Sequence, residues 1–187
     1  MSERFLQSST PLFGLTLVKR LPLGDARGFF ERMFCDKELS AAGWRGAVRQ
    51  INHTYTQKRG TVRGLHFQLP PHSEMKLVSC LRGEIWDVVV DVRKGSPTFL
   101  HWHAERLSAE NHCSLLIPQG FAHGFQTLTD EVDLLYCHSE VYSSVAETGL
   151  SVIDPRLNIT WPLPVQELSG RDQSHPLLTD DFKGVEL

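Results

Sequence analysis

The sequence predicts a mainly β domain, an antiparallel sandwich or barrel, and three observations carry that prediction. Short β-type runs separated by Gly and Pro recur from Leu15 through Tyr136. Within the longest of them, apolar and polar side chains sort onto opposite faces. Helix signals are scarce. The clearest covers residues 36–42, where Asp36 stands at the capping position and Gly43 follows the end.

The run ending in Arg63-Gly64-Leu65-His66 is stopped by Pro70-Pro71, which leaves His66 near the mouth of a strand. Residues 76–92 read as a hairpin, because KLVSCL and EIWDVVVDV are strand-like and Arg82-Gly83 supplies a short turn. Alternation places Trp86, Val88, Val90 and Val92 on one face and Ile85, Asp87, Val89 and Asp91 on the other. Those two acids either lie near a cavity, or face solvent or pair with arginines. CSLLI is a further strand, stopped by Pro118, and Gln119-Gly120 turns the chain before FAHGF places His123 between aromatic residues. In VDLLYCHSEVY, Val132, Leu134 and Tyr136 share a parity, so the Tyr136 hydroxyl projects among aliphatic residues and needs a partner. From Asp154 onward DPRLNITWPLP reads as an irregular strap across the domain.

At 187 residues the chain suits one domain with a sizeable core. A net charge of -3, with no concentration of Lys and Arg, argues against nucleic-acid binding. No apolar run reaches the roughly 20 residues that span a bilayer. The opening MSERFLQSSTPLFG lacks the basic-then-apolar build of a signal peptide, so a cytoplasmic protein is expected. Cys35, Cys80, Cys113 and Cys137 are far apart and form no C-x-x-C pair, so they read as reduced thiols. Of nine histidines, His53, His112, His138 and His175 lie among polar neighbours and read as solvated. His66 and His123 have more suggestive settings, although a lone strand histidine is more often structural than catalytic.

Longer blocks then bear a resemblance to a known family. They are residues 25–30 (DARGFF), 50–52 (QIN), 63–68 (RGLHFQ), 76–78 (KLV), 87–93 (DVVVDVR), 107–111 (LSAEN) and 117–125 (IPQGFAHGF), with Asp154-Pro155 and Trp161-Pro162 beyond them. In this order they resemble the dTDP-4-dehydrorhamnose 3,5-epimerase family, cupin-type epimerases of nucleotide sugars. The resemblance implies a cupin-type double-stranded β-helix, or jelly roll, with short peripheral and C-terminal helices. Its core would cover about residues 45–140 of a single domain at 1–187, with the strap and tail at about 154–187. It also implies a homodimer and a nucleotide-linked 4-keto-6-deoxyhexose, dTDP-linked, as substrate, inverted at C3, C5 or both.

By the same resemblance His66 is the general base and an aspartate near the C-terminus holds its imidazole. Leu168-Ser169-Gly170-Arg171-Asp172 matches that ending, so Asp172 is the expected partner and Asp180 and Asp181 are its competitors. A carboxylate there fixes the tautomer and stabilises the imidazolium. Tyr136 matches the general acid, with Tyr142 as the fallback. Lys76 is the cation expected to hold the enolate oxygen. Arg27, Gln50, Asn52, Arg63, His123 and Tyr142 are the expected substrate contacts, arginine suiting a diphosphate through its paired hydrogen bonds. Gly64 permits a bulge that would let Arg63 and His66 reach one ligand despite their opposite parity.

Two departures stand out. The glutamate that follows the paired aromatics by two residues in the family is displaced here, where Phe29-Phe30 precedes Glu31-Arg32. A one-residue shift on a strand reverses the face. The lysine before the partner aspartate is Arg171. No cofactor and no catalytic metal are expected, because Phe67-Gln68 follows His66 where metal-binding cupins carry a second histidine. His101-Trp102-His103 does form an H-x-H, but it reads as two exposed histidines on a polar connection. The rivals are a single-centre epimerase or ketoisomerase, a non-catalytic sugar-binding cupin, and a metal-dependent cupin oxygenase.

Overall fold

The computed structural model describes residues 3–187. Six strands form one antiparallel sheet, in the order β1 (Phe5–Ser9), β2 (Thr16–Arg20), β10 (Cys113–Ile117), β7 (Lys76–Arg82), β12 (Val132–His138) and β5 (Gln50–Thr56). Five form the second, in the order β13 (Glu147–Gly149), β6 (Val62–Gln68), β11 (Phe121–Thr127), β8 (Glu84–Asp91) and β9 (Trp102–Ser108). A separate hairpin joins β3 (Leu23–Asp25) to β4 (Gly28–Phe30). From β5 to β13 the strands alternate between the two sheets except at β8 and β9, which pair within one, as in a cupin-type jelly roll.

Alternation explains why the sheets stack. Val78, Leu115, Ile117 and Leu134 of the first sheet meet Ile85, Val89, Phe121 and Phe125 of the second in a buried inner core. The outer faces are apolar too, and each is covered. Val18, Leu77, Leu116 and Cys137 lie under Trp44 and Leu39, the latter on α1 (Asp36–Leu39). Leu65, Phe67, Val88, Val90 and Ala122 lie under Leu157, Trp161, Leu178 and Phe182 of the C-terminal segment. Asp154 ties that strap together, its carboxylate accepting from the backbone N–H groups of Arg156 and Leu178. A fully buried leucine of this kind contributes about 1.5–3 kcal/mol.

Two local expectations need correction. The segment 76–92 is not a hairpin: β7 pairs with β10 and β12, whereas β8 pairs with β9 and β11. Gly83 is the one residue between them, too short for a two-residue hairpin turn, so the chain turns a corner from one sheet to the other. At φ +75 a Cβ on Gly83 would lie 2.5 Å from Thr129 Oγ1. The helix is also shorter than expected. Asp36 is its first residue, Cys35 occupies the cap position, and residues 40–43 continue as turns that end at Gly43, φ +111.

The bulge expected at Gly64 is present. Across β6 and β11, His66 faces His123 and Arg63 faces Phe125, so β6 advances three residues where β11 advances two. Gly64 adopts φ +136, and a Cβ there would stand 2.5 Å from Gly124 Cα. Gly64→Ala is therefore expected to cost about 3 kcal/mol through strain and backbone displacement, lowering Tm by roughly 6–12 °C. Thermal unfolding checks this; a shift under about 2 °C would show that the bulge accepts a side chain.

Candidate active site

A cleft of about 260 Å³ opens at the polar end of the sandwich, between the two sheets. His66 and Arg63 of β6 and His123 and Phe125 of β11 line one wall. Asn52 and Thr54 of β5, Lys76 of β7 and Tyr136 and His138 of β12 line the other. The register that buries Val132 and Leu134 in the core projects Tyr136 and His138 into the cleft.

His66 Nε2 lies 2.6 Å from Asp172 Oδ1. Asp172 sits on α2 (Gly170–Gln173), where Ser169 is the N-cap and its hydroxyl accepts from Asp172 N–H at 3.1 Å. The Ser-x-x-Asp spacing thus starts the short helix and aims its buried carboxylate at β6. Burial raises the Asp172 pKa, but the His66 hydrogen bond and charge outweigh it, and the net direction is down. An ionised Asp172 requires the proton on Nε2, which leaves the lone pair on Nδ1. The Arg171 guanidinium also approaches Nε2, at 3.2 Å. Nε2 cannot donate to one group and accept from the other. The shorter, charge-assisted contact to Asp172 prevails, and Arg171 acts there as a nearby positive charge. Asp180, highly exposed, and Asp181, also exposed, are not His66 partners.

Tyr136 stands on the facing sheet and is buried. Burial first, and then the charge of Asp87, push its pKa well above the usual phenol range. Asp87 is fully buried and accepts from His123 Nε2 at 2.7 Å. Of the two readings left open for the acids of β8, Asp87 comes nearer the first, buried directly behind the cleft-lining His123, and Asp91 follows the second, pairing with Arg93 at 2.6 Å.

Lys76 is buried, 3.2 Å from Glu74 Oε1, with Nζ 3.5 Å from the His66 carbonyl oxygen. Glu74 also accepts from His138 Nδ1 at 2.8 Å. Burial opposes its charge, yet the His138 hydrogen bond and the Lys76 charge hold the Glu74 carboxyl below the usual range. The chain of contacts continues to the rim. Asn52 Nδ2 donates to His138 Nε2 at 3.4 Å, Gln50 Nε2 donates to Asn52 Oδ1 at 3.0 Å, and Tyr142 N–H donates to Gln50 Oε1 at 3.0 Å. The Tyr142 hydroxyl donates to Glu147, which also pairs with Arg171 at 2.7 Å. Arg63 is held by a bond from Nε to the Thr56 hydroxyl at 3.1 Å.

Arg27 is not brought to this cleft. It lies at the tip of the β3–β4 hairpin, its side chain 89% exposed and paired with Asp25. Phe29 and Phe30 on the same hairpin are also exposed. The displaced acid Glu31 turns inward to Arg20 at 3.0 Å and His112 at 2.7 Å, while Arg32 pairs with Glu38.

The reading of His138 and His175 as solvated is wrong: His138 is buried in the cleft wall, and His175 packs edge-on against His66 at 5.4 Å between centroids. Glu74 was also missed. Strand parity held the signal for His138, which follows Tyr136 by two on β12; Glu74 lies just before β7 begins, where strand parity does not apply. His103 is on β9, partly buried and bound to Glu105 at 2.8 Å, not on an exposed connection. Among the described residues, the group whose ligating atoms converge within 4.8 Å is His66, Asp172 and His175. No described helix is long and apolar enough to cross a membrane.

The sequence model of one family, described as dTDP-4-dehydrorhamnose 3,5-epimerase, matches residues 9–180. A dTDP-4-dehydrorhamnose 3,5-epimerase from Shigella flexneri is 46% identical over 150 residues, 80% of this chain and 82% of the relative. The fold is similar to that of a crystal structure of dTDP-4-dehydrorhamnose 3,5-epimerase from Bacillus anthracis with TDP and PPi bound. The TM-score is 0.90 at 40% identity, over 93% of this chain and 99% of the other. It is also similar to a dTDP-6-deoxy-D-glucose-3,5-epimerase from Legionella pneumophila in complex with dTDP-4-keto-L-rhamnose. There the TM-score is 0.88 at 38% identity, over 92% of each chain.

Proposed function

The chain belongs to the dTDP-4-dehydrorhamnose 3,5-epimerase family, and from that premise we propose how its cleft inverts carbon beside the ketone of a dTDP-linked 4-keto-6-deoxyhexose. It is an isomerase. One observation carries the proposed mechanism: His66, held from behind by Asp172, stands on one wall of the cleft and Tyr136 on the other.

His66 removes the proton with Nδ1, and Asp172 holds the ring and offsets the charge of the imidazolium that forms. The C4 ketone becomes an enolate, whose oxygen is held by Lys76, pre-positioned by Glu74 in a partly desolvated site. Tyr136 then delivers its proton from the opposite wall, so the carbon is inverted. Its raised pKa keeps it protonated until that step. His123 acts through the floor, anchored on Asp87.

The cleft volume falls just below the ~300–1,000 Å³ of ordinary ligand pockets, which suits the sugar and leaves the nucleotide to extend over the rim. Arg63, Gln50, Asn52 and Tyr142 stand there to receive the diphosphate and sugar hydroxyls. Arg27 completes that rim from a second copy of the chain: its exposed hairpin, with Phe29 and Phe30, has the composition of an interface element reaching outward. The enzyme is then a homodimer.

Solvent exchange tests the reading. Incubated in heavy water with dTDP-4-keto-6-deoxyglucose, the protein is expected to place deuterium at C3 and C5 of an epimerised product, located by NMR. Deuterium and inversion at one carbon alone would mark a single-centre epimerase. No exchange at either would contradict proton abstraction altogether.

A further inference from the structure

We propose that His66, Asp172 and His175 form a regulatory site for a divalent ion of the zinc class, and that its occupation switches the base off; the second half rests on the reading of His66 as base. The three ligating atoms already converge. Asp172 Oδ1 lies 2.6 Å from His66 Nε2 and 3.7 Å from His175 Nε2, and all three fall within 4.8 Å of one another. Zinc takes nitrogen and carboxylate oxygen ligands at about 2.0–2.2 Å in a tetrahedron, which sets neighbouring ligands about 3.3 Å apart. The first separation has to open, and the second close, by less than about 1 Å to meet that figure, and the third, between the two imidazoles, within 4.8 Å, has to close by up to about 1.5 Å.

His175 supplies the second, independent observation. Its Nε2 is buried and makes no hydrogen bond, although it faces a carboxylate. A buried imidazole nitrogen left so is costly and asks for a partner. The ring is admitted by Gly149, where a Cβ would lie 2.5 Å from His175 Cε1 and Nε2. Two imidazoles and one carboxylate, with water in the fourth position, are a ligand set zinc accepts. One group opposes the ion. Arg171 Nη2 lies 3.2 Å from His66 Nε2 and has to withdraw toward Glu147, with which it already pairs at 2.7 Å. Its side chain is half exposed and free to do so, at a cost that keeps the site weaker than a dedicated structural one.

Neither Asp172 nor His175 lines the cleft, so the ion sits behind His66 rather than in the substrate's place. Its effect works through the tautomer. The metal takes the Nε2 lone pair, the proton that Nε2 carried moves through solvent to Nδ1, and the neutral ring has no lone pair left toward the substrate. No oxidation or covalent step is involved. Substrate still binds while proton abstraction stops.

Cobalt and zinc titrations of the untagged full-length protein test this. One equivalent of Co²⁺ is expected to give tetrahedral visible absorption displaced by Zn²⁺, and Zn²⁺ to lower kcat at least tenfold with little change in KM, reversed by a chelator. His175→Ala, outside the cleft, is expected to keep turnover in chelator, to weaken cobalt binding by roughly a hundredfold and to lose zinc inhibition. His175→Gln serves if the alanine variant fails to fold. No stoichiometric cobalt spectrum, or one unchanged in the His175 variants, would overturn the site. Binding without inhibition would overturn the switch. The cobalt spectrum is independent of turnover, and turnover in chelator tests the epimerase reading by itself.

Discussion

Replacing His66 by asparagine is expected to lower kcat about a thousandfold, within the ~10²–10⁴ range of a positioned general base, while leaving KM within a small factor. The asparagine amide ends where Nδ1 stands and falls short of Asp172, which loses its bond to Nε2, so a Tm lowered by a few degrees is expected beside the loss of activity. It has no lone pair of imidazole basicity, so no proton leaves the sugar. Solvent deuterium should then be absent from recovered substrate as well as from product. Asp172→Asn separates the two parts of the pair. It keeps the size of the side chain but removes the charge that fixes Nε2–H and balances the imidazolium, so a fall of about a hundredfold or more is expected. An H66N enzyme that exchanged deuterium at even a tenth of the parent rate would remove His66 from the base position, and His138 or Lys76 would have to be reconsidered.

The legible and illegible parts of this site differ for physical reasons. Tyr136 and its two aliphatic companions were readable because a strand's period of two is a local property, and β12 keeps it in regular register with β5, the irregularity toward β7 placing its extra residue on β7. Asp172 was found through the family-like Leu-Ser-x-x-Asp ending, which the structure explains as an N-cap serine placing its third residue against β6. What depends on distant packing was not readable. Residues 76–92 carry all the local marks of a hairpin, yet whether two strands pair or diverge at Gly83 is decided by which sheets β10 and β11 occupy. His175 looked solvated among polar neighbours, but its place beside His66 is set by α2 and the glycine at 149, far away in sequence. Arg27 is the converse case. Its residue type and block point to a phosphate contact, yet it stands exposed at the tip of the β3–β4 hairpin, outside the lining of the cleft.

The roles of base and acid separate most clearly in Tyr136→Phe. The variant retains the ring that stacks beside His138 and packs near His123, so the buried wall keeps its shape. What it loses is the phenol hydroxyl opposite His66, which burial and the charge of Asp87 keep protonated. His66 still removes the proton, and the enolate still rests on Lys76, but only the imidazolium can return a proton, to the face it came from. Inversion is therefore expected to fall by about two to four orders of magnitude, while deuterium continues to enter recovered, unepimerised substrate at a rate near that of the parent. The two rates are read from one incubation, by NMR of both sugars. The phenylalanine variant losing exchange and inversion in equal measure would mean that Tyr136 holds the substrate or the enolate rather than donating to carbon. A Y136F enzyme that inverted within tenfold of the parent rate would move the acid to another group, with Tyr142 at the rim the first to test.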